Sequence, residues 1–80
     1  MKVEWVDGSE IRVNIDKDTA VISANREGLL SLAKQLAALA EAASGNHIHY
    51  DGYNSLEAGS SEMIIEKVSV QGGVKGSSIQ

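Results

Sequence analysis

The sequence predicts an α+β domain in which one long helix covers one face of a small antiparallel sheet. Several short segments alternate apolar and polar residues, which is typical of half-buried strands, and residues 26–43 carry apolar side chains at helical spacing. Eighty residues suffice for one domain. We expect the order β-β-β-α-β-β with about five strands, a domain spanning residues 1–70, and a flexible Gly- and Ser-rich tail over residues 71–80.

Three strands are predicted before the helix, arranged as a meander. Residues 3–5 alternate apolar and charged side chains, and the Asp7-Gly8 dipeptide that follows is typical of a two-residue hairpin turn. Residues 11–15 form the clearest alternating segment, and residues 16–18 turn the chain into a third strand over residues 19–24. The apolar residues expected on the helix side of these two strands are Ile11, Val13, Ile15, Ala20, Ile22 and Ala24.

The helix is predicted to start after Asn25, whose side chain suits an N-cap, and to end before Gly45, which suits a left-handed C-terminal cap. Glu27 lies in the first turn, where the helix dipole favours a negative charge. The apolar stripe expected to face the sheet is Leu29, Leu32, Ala33, Leu36, Ala40 and Ala43, with Leu39 on its flank. The opposite side is expected to carry Glu27, Ser31, Lys34, Ala38 and Glu41.

Two further strands are predicted after the helix. Residues 47–51 alternate, so that Ile48 and Tyr50 face the helix while the histidines and Asp51 face away. A turn over residues 51–54 and a loop over residues 55–61 lead to the fifth strand, residues 63–70. The second face of the sheet is therefore expected to be polar and of mixed charge.

Composition excludes several classes of function. The net charge of −4, with seven scattered Lys and Arg residues, argues against a nucleic-acid binder. The chain has no cysteine for disulfides or thiolate metal sites. Its first residues lack the apolar core of a signal peptide. The longest segment of low charge, residues 28–39, contains too many polar residues to span a membrane. We therefore expect a cytoplasmic protein of bacterial type.

The segment His47-x-His49-x-Asp51 is the strongest candidate for a metal site. Two histidines at alternate strand positions lie about 6.6 Å apart and can share one ion, whereas the residue two positions further is about 13 Å from the first. A zinc site needs a third ligand, for which Glu4, Glu62 or Glu66 would have to serve. Two surface histidines without a metal are the simpler interpretation, and we expect no cofactor.

No nucleophile elbow, phosphate-binding loop or dinucleotide fingerprint is present, so the sequence predicts a protein that is not an enzyme. Trp5 and Tyr50 occupy the alternate strand positions that are expected to face the core. Tyr53 lies in a predicted turn, where it could be an exposed contact anchor for a partner or could fold onto its own sheet edge.

Three stretches together suggest a family. They are ISANREGLLSLA (residues 22–33), HIHYD (residues 47–51) and SLEAGSSEMIIE (residues 55–66). In this combination the chain resembles the immunity protein 32 family, small bacterial proteins associated with polymorphic toxin systems, over about residues 19–68.

The resemblance implies a non-enzymatic inhibitor that binds a cognate protein toxin in the same cytoplasm. The candidate partner-binding residues are His47, His49, Asp51, Tyr53, Glu57 and Glu62. Two alternatives remain: a metal-binding or metal-sensing domain using His47 and His49, and a structural homodimer whose polar sheet faces meet.

Overall fold

The computed structural model describes residues 1–69 and contains one helix and four strands. In chain order these elements are β1 (Ile11–Asp16), β2 (Thr19–Ala24), α1 (Arg26–Glu41), β3 (His47–Tyr50) and β4 (Met63–Glu66). The strands form two separate antiparallel pairs, β1–β2 and β3–β4. The predicted tail over residues 71–80, and Val70 of the predicted fifth strand, lie outside the described residues.

The α+β class is confirmed, but the prediction of a single five-stranded sheet is wrong. Residues 3–5 form no strand. The backbone of residues 4–6 bonds instead to side chains of α1: the Val6 N–H donates to Ser31 Oγ at 2.8 Å, and Gln35 Nε2 donates to the Glu4 carbonyl at 2.8 Å. A three-residue alternation is too short to require a strand, and the helix offers it other partners.

The β1–β2 hairpin brings the predicted apolar positions of both strands to one face. Ile11 lies opposite Ala24 and Val13 opposite Ile22, so the apolar residues of both strands share one face. The turn between the strands contains Lys17 at a φ of 58°, a left-handed conformation that few non-glycine residues adopt outside turns.

The β3–β4 hairpin follows its predicted alternation on β3. Ile48 and Tyr50 are buried, and the two histidines between them are exposed. β4 is shorter than predicted, since it ends at Glu66. Met63 and Ile65 lie opposite Tyr50 and Ile48 on the core side.

A loop segment connects the two hairpins along the edge of β1. The Glu57 N–H donates to the Ile11 carbonyl at 2.8 Å, and the Ser61 N–H donates to the Val13 carbonyl at 2.7 Å. Arg12 Nη1 also donates to the Ala58 carbonyl at 3.0 Å. Residues 57–61 therefore pair irregularly with β1 on the side away from β2, and hold both hairpins around one core.

The helix begins as predicted. Asn25 Oδ1 accepts from the Gly28 N–H at 2.7 Å, and the same side chain also bonds the turn that precedes β1. A Cβ at Gly28 would lie 2.6 Å from the Glu10 carbonyl oxygen and 2.9 Å from Ile11 Cγ1. The absence of a side chain at this position thus allows α1 to approach β1 closely. Gly45 has a positive φ of 94°, but it is not the cap of the helix, because α1 already ends at Glu41 and its C-cap is Ala42 in an extended conformation.

The predicted apolar stripe of the helix is wrong, because the face of α1 that is buried is rotated by part of a turn from the predicted one. The helix residues that are buried are Gly28, Ser31, Gln35 and Leu39. Leu29 and Leu36, placed at the centre of the stripe, are 56% and 42% exposed, whereas Ser31, placed on the polar side, is fully buried. Two polar side chains can be buried here because each has hydrogen-bond partners in the N-terminal segment or in β3. The buried apolar core consists of Ile11, Val13, Leu39, Ile48, Tyr50 and Leu56.

Candidate partner-binding surface

A hydrogen-bonded turn presents Tyr53 to solvent. Asp51 Oδ1 accepts from the backbone N–H groups of Tyr53 at 2.9 Å and of Asn54 at 3.1 Å. The Asp51 carbonyl accepts from the N–H groups of Ser55 and Leu56, and the Leu56 side chain is buried. The turn is therefore fixed at both ends while its Tyr53 side chain is 99% exposed. Asp51 has a structural role in this turn, because its carboxylate already accepts these two hydrogen bonds.

Trp5 borders the same surface. Its ring meets the ring of Tyr50 edge-on, with centroids 6.3 Å apart and an interplanar angle of 82°, yet Trp5 remains 41% exposed. The expected burial of Trp5 is thus only partial, and its exposed part lies between two open depressions. The predicted strand alternation over residues 3–5 placed Trp5 in the core. It did not predict the partial exposure, because these residues do not form a strand.

The two depressions differ in their lining. One, of about 360 Å³, lies between residues 5–9 and residues 52–56. The other, of about 290 Å³, is lined by Val3, Trp5, His47, Ile48, His49 and Asn54. Trp5 thus lines both depressions, one of them together with the Tyr53 turn and the other together with the two histidines of β3.

The carboxylates of the candidate set do not all join this surface. Glu62 Oε1 lies 4.0 Å from His49 Nε2, and both side chains are largely exposed. Glu57 is partly buried and lines a different depression with the ends of β1 and β2. The structure thus brings together His47, His49, Tyr53 and Trp5, adds Glu62 at the edge, and separates Glu57.

The interior beneath this surface holds a buried polar network. The Tyr50 hydroxyl donates to Gln35 Oε1 at 2.6 Å, while Gln35 Nε2 donates to the Glu4 carbonyl. Burial raises the pKa of the Tyr50 hydroxyl, because the phenolate would be desolvated. This network ties the backbone next to Trp5 to both α1 and β3.

Within residues 1–69, no three His, Asp or Glu side chains come close enough together to hold a metal ion. The metal-binding alternative for His47 and His49 therefore receives no support from the structure. Over the same residues, the helix is too short and too polar to cross a membrane.

Comparison with known protein families identifies a relationship. A family model described as Immunity protein 32 matches residues 19–68, which include β2, α1, β3, the Tyr53 turn and β4. Neither the curated proteins nor the solved structures contain a significant match to the chain.

Proposed function

Because the chain belongs to the immunity protein 32 family, and thus has the general role of an immunity protein, we propose that it neutralises a cognate toxin by direct binding, without catalysis. The resemblance seen in the sequence covers the same residues as the family match. The toxin and its inhibitor would meet in the cytoplasm of the producing cell.

The proposed contact surface is the region around Trp5 and Tyr53. Tyrosine and tryptophan are enriched among the residues that contribute most to protein–protein binding, because they bury a large area at a small cost in side-chain entropy. Tyr53 is almost completely exposed on a turn in which four backbone N–H groups donate to Asp51, two to its carboxylate and two to its carbonyl. An exposed tyrosine on a hydrogen-bonded turn is the observation that best supports the placement.

The polar rim would contribute to recognition. His47 and His49 project from the exposed face of β3, and Glu62 lies beside His49. The net charge of −4 favours a basic partner and would accelerate its approach by long-range attraction. Glu57 would contribute less than the sequence suggests, because it lies apart from Tyr53.

The proposal predicts that a toxin-like protein is encoded beside this gene, and co-expression of the two proteins tests it. The wild-type chain should restore growth and should be recovered in a complex with that protein. Tyr53→Ala should weaken binding by at least about tenfold, the effect expected of an anchor residue worth more than about 1.4 kcal/mol.

Ile15→Ala is the matched control, since Ile15 is also a large exposed side chain but lies at the far end of β1. It should leave the affinity unchanged. Equal affinities for wild type and Tyr53→Ala would overturn the placement of the surface. Failure of the wild-type chain to bind or protect would overturn the proposed function itself.

A further inference from the structure

The outer edge of β2 has free backbone hydrogen-bonding groups. The carbonyls of Ile11 and Val13 accept from residues 57–61, on the side of β1 away from β2. Their partners across the hairpin, Ala24 and Ile22, therefore occupy non-hydrogen-bonded positions and direct their own N–H and C=O groups outward. By the same alternation, Ala20 also points outward.

A second observation supports this assignment. The Asn25 N–H donates to the Glu10 carbonyl across the hairpin. The hydrogen-bonded pairs of the hairpin therefore involve the β2 residues that alternate with Ala20, Ile22 and Ala24. Within residues 1–69, the outward groups of Ala20, Ile22 and Ala24 make no hydrogen bond to another part of the chain. They form a regular row of three donors and three acceptors.

The side chains of β2 do nothing to block this edge. Natural edge strands usually carry Lys, Pro or a bulge that prevents pairing with another chain. The segment TAVISA contains no charge, proline or glycine, and it is regular over all six residues. Val21 and Ile22 are 41% and 44% exposed, one on each face. Such a strand is well suited to pair with another strand.

We propose that β2 pairs antiparallel with β2 of a second copy of this chain. A two-fold axis through Ile22 matches the outward groups of both strands, because Ile22 then bonds its own copy while Ala20 bonds Ala24 of the other chain. This register would form about six backbone hydrogen bonds and a four-stranded sheet. Identical strands meet without like charges here, although the whole chain carries a net charge of −4.

The two-fold register also covers apolar surface. Opposed residues of an antiparallel pair lie on the same face, so both copies of Ile22 would meet on the face that carries α1. Both helices would lie on that side of the sheet. The N-terminal segment occupies the Ser31 and Gln35 flank of α1, which leaves the apolar flank with Leu29 and Leu36 on the other side, available for the second copy.

Sedimentation equilibrium of the full chain tests the proposal. The mass should rise from 8.5 kDa toward twice that value as the concentration increases. Ala20→Pro removes an outward N–H without removing a bond of the hairpin, so it should raise the dimer dissociation constant at least about tenfold while the circular dichroism spectrum stays native.

A pair of lysine variants gives a test that does not depend on proline. Ile22→Lys would place two ammonium groups opposite each other at the two-fold axis and should abolish dimerisation. Val21 is about as exposed in the monomer as Ile22, but in the dimer it would face Ser23 of the other copy. Val21→Lys should therefore weaken dimerisation much less. Sedimentation of both variants under the same conditions measures the difference.

Three results would overturn the inference. They are a monomer at all concentrations up to about 0.5 mM, a dimer unaffected by Ala20→Pro and Ile22→Lys, and equal effects of the two lysines. A monomer whose residue 22 instead cross-links to a bound toxin would assign the edge to that partner rather than to a second copy. Dimerisation is measured without toxin, so its failure leaves the proposed function untouched.

Discussion

Removing the hydroxyl of Tyr50 tests whether the buried polar network stabilises the fold. Tyr50→Phe keeps the ring and its edge-on contact with Trp5, but leaves Gln35 Oε1 without the 2.6 Å hydrogen bond it now accepts. Both residues are almost completely buried, so water cannot replace the lost donor. An unsatisfied buried acceptor costs about 1–3 kcal/mol, and we expect a loss of about 2 kcal/mol.

The expected loss is large for a chain of this size. A change of 1 kcal/mol shifts the melting temperature of a domain of 60–100 residues by roughly 4–8 °C, so Tyr50→Phe should melt about 8–16 °C below wild type. Thermal and urea unfolding followed by circular dichroism would measure both quantities. Tyr53→Phe removes the same hydroxyl from an exposed position and should change the free energy of unfolding by less than about 0.5 kcal/mol.

A double-mutant cycle assigns the effect to the hydrogen bond. Gln35→Met removes the amide, and with it both the bond to Tyr50 and the bond to the Glu4 carbonyl. Tyr50→Phe should cost much less in the Gln35→Met background than in wild type, because no acceptor is then left unpaired. A Tyr50→Phe variant as stable as wild type, or an equal cost in both backgrounds, would refute the assignment.

Three further predictions concern pH, helix packing and the turn. Because the pKa of Tyr50 is raised in the folded state, the hydroxyl loses its proton at lower pH in the unfolded state. The contribution of Tyr50 to stability should therefore be constant below about pH 10 and should fall above it by up to about 1.4 kcal/mol per pH unit until the folded-state pKa is reached. Urea unfolding from pH 9 to 11 should show a steeper decline in stability for wild type than for Tyr50→Phe. Gly28→Ala should destabilise the fold by about 1–3 kcal/mol despite the better helix propensity of alanine, whereas Gly52→Ala, with open space around the position, should be nearly neutral in the same melts. Asp51→Ala should cost about 1 kcal/mol and speed hydrogen exchange of the Tyr53 amide, Asp51→Asn should largely preserve both, and unchanged exchange in Asp51→Ala would contradict the assigned role of the carboxylate.

Local patterns predicted the hairpin of β1 and β2, the N-cap Asn25 and the alternation of β3. Each of these depends on neighbouring residues along the chain, and the structure confirms each one. The exposure of His47 and His49 follows from the same alternation. The family resemblance could also be recognised from short stretches of sequence, and the family match confirms it.

The tertiary structure alone decided which flank of α1 is buried. Helical spacing favoured Leu29 and Leu36, yet Ser31 and Gln35 face the core, because residues 4–6 and Tyr50 supply hydrogen bonds to their polar atoms. Those partners are distant in sequence, so no local pattern could reveal them. The same long-range contacts replaced the expected first strand and left Trp5 at the surface beside Tyr53. The sequence by itself therefore determined the local elements and the family, whereas the pairing of the N-terminal segment with the helix determined the core and the candidate surface.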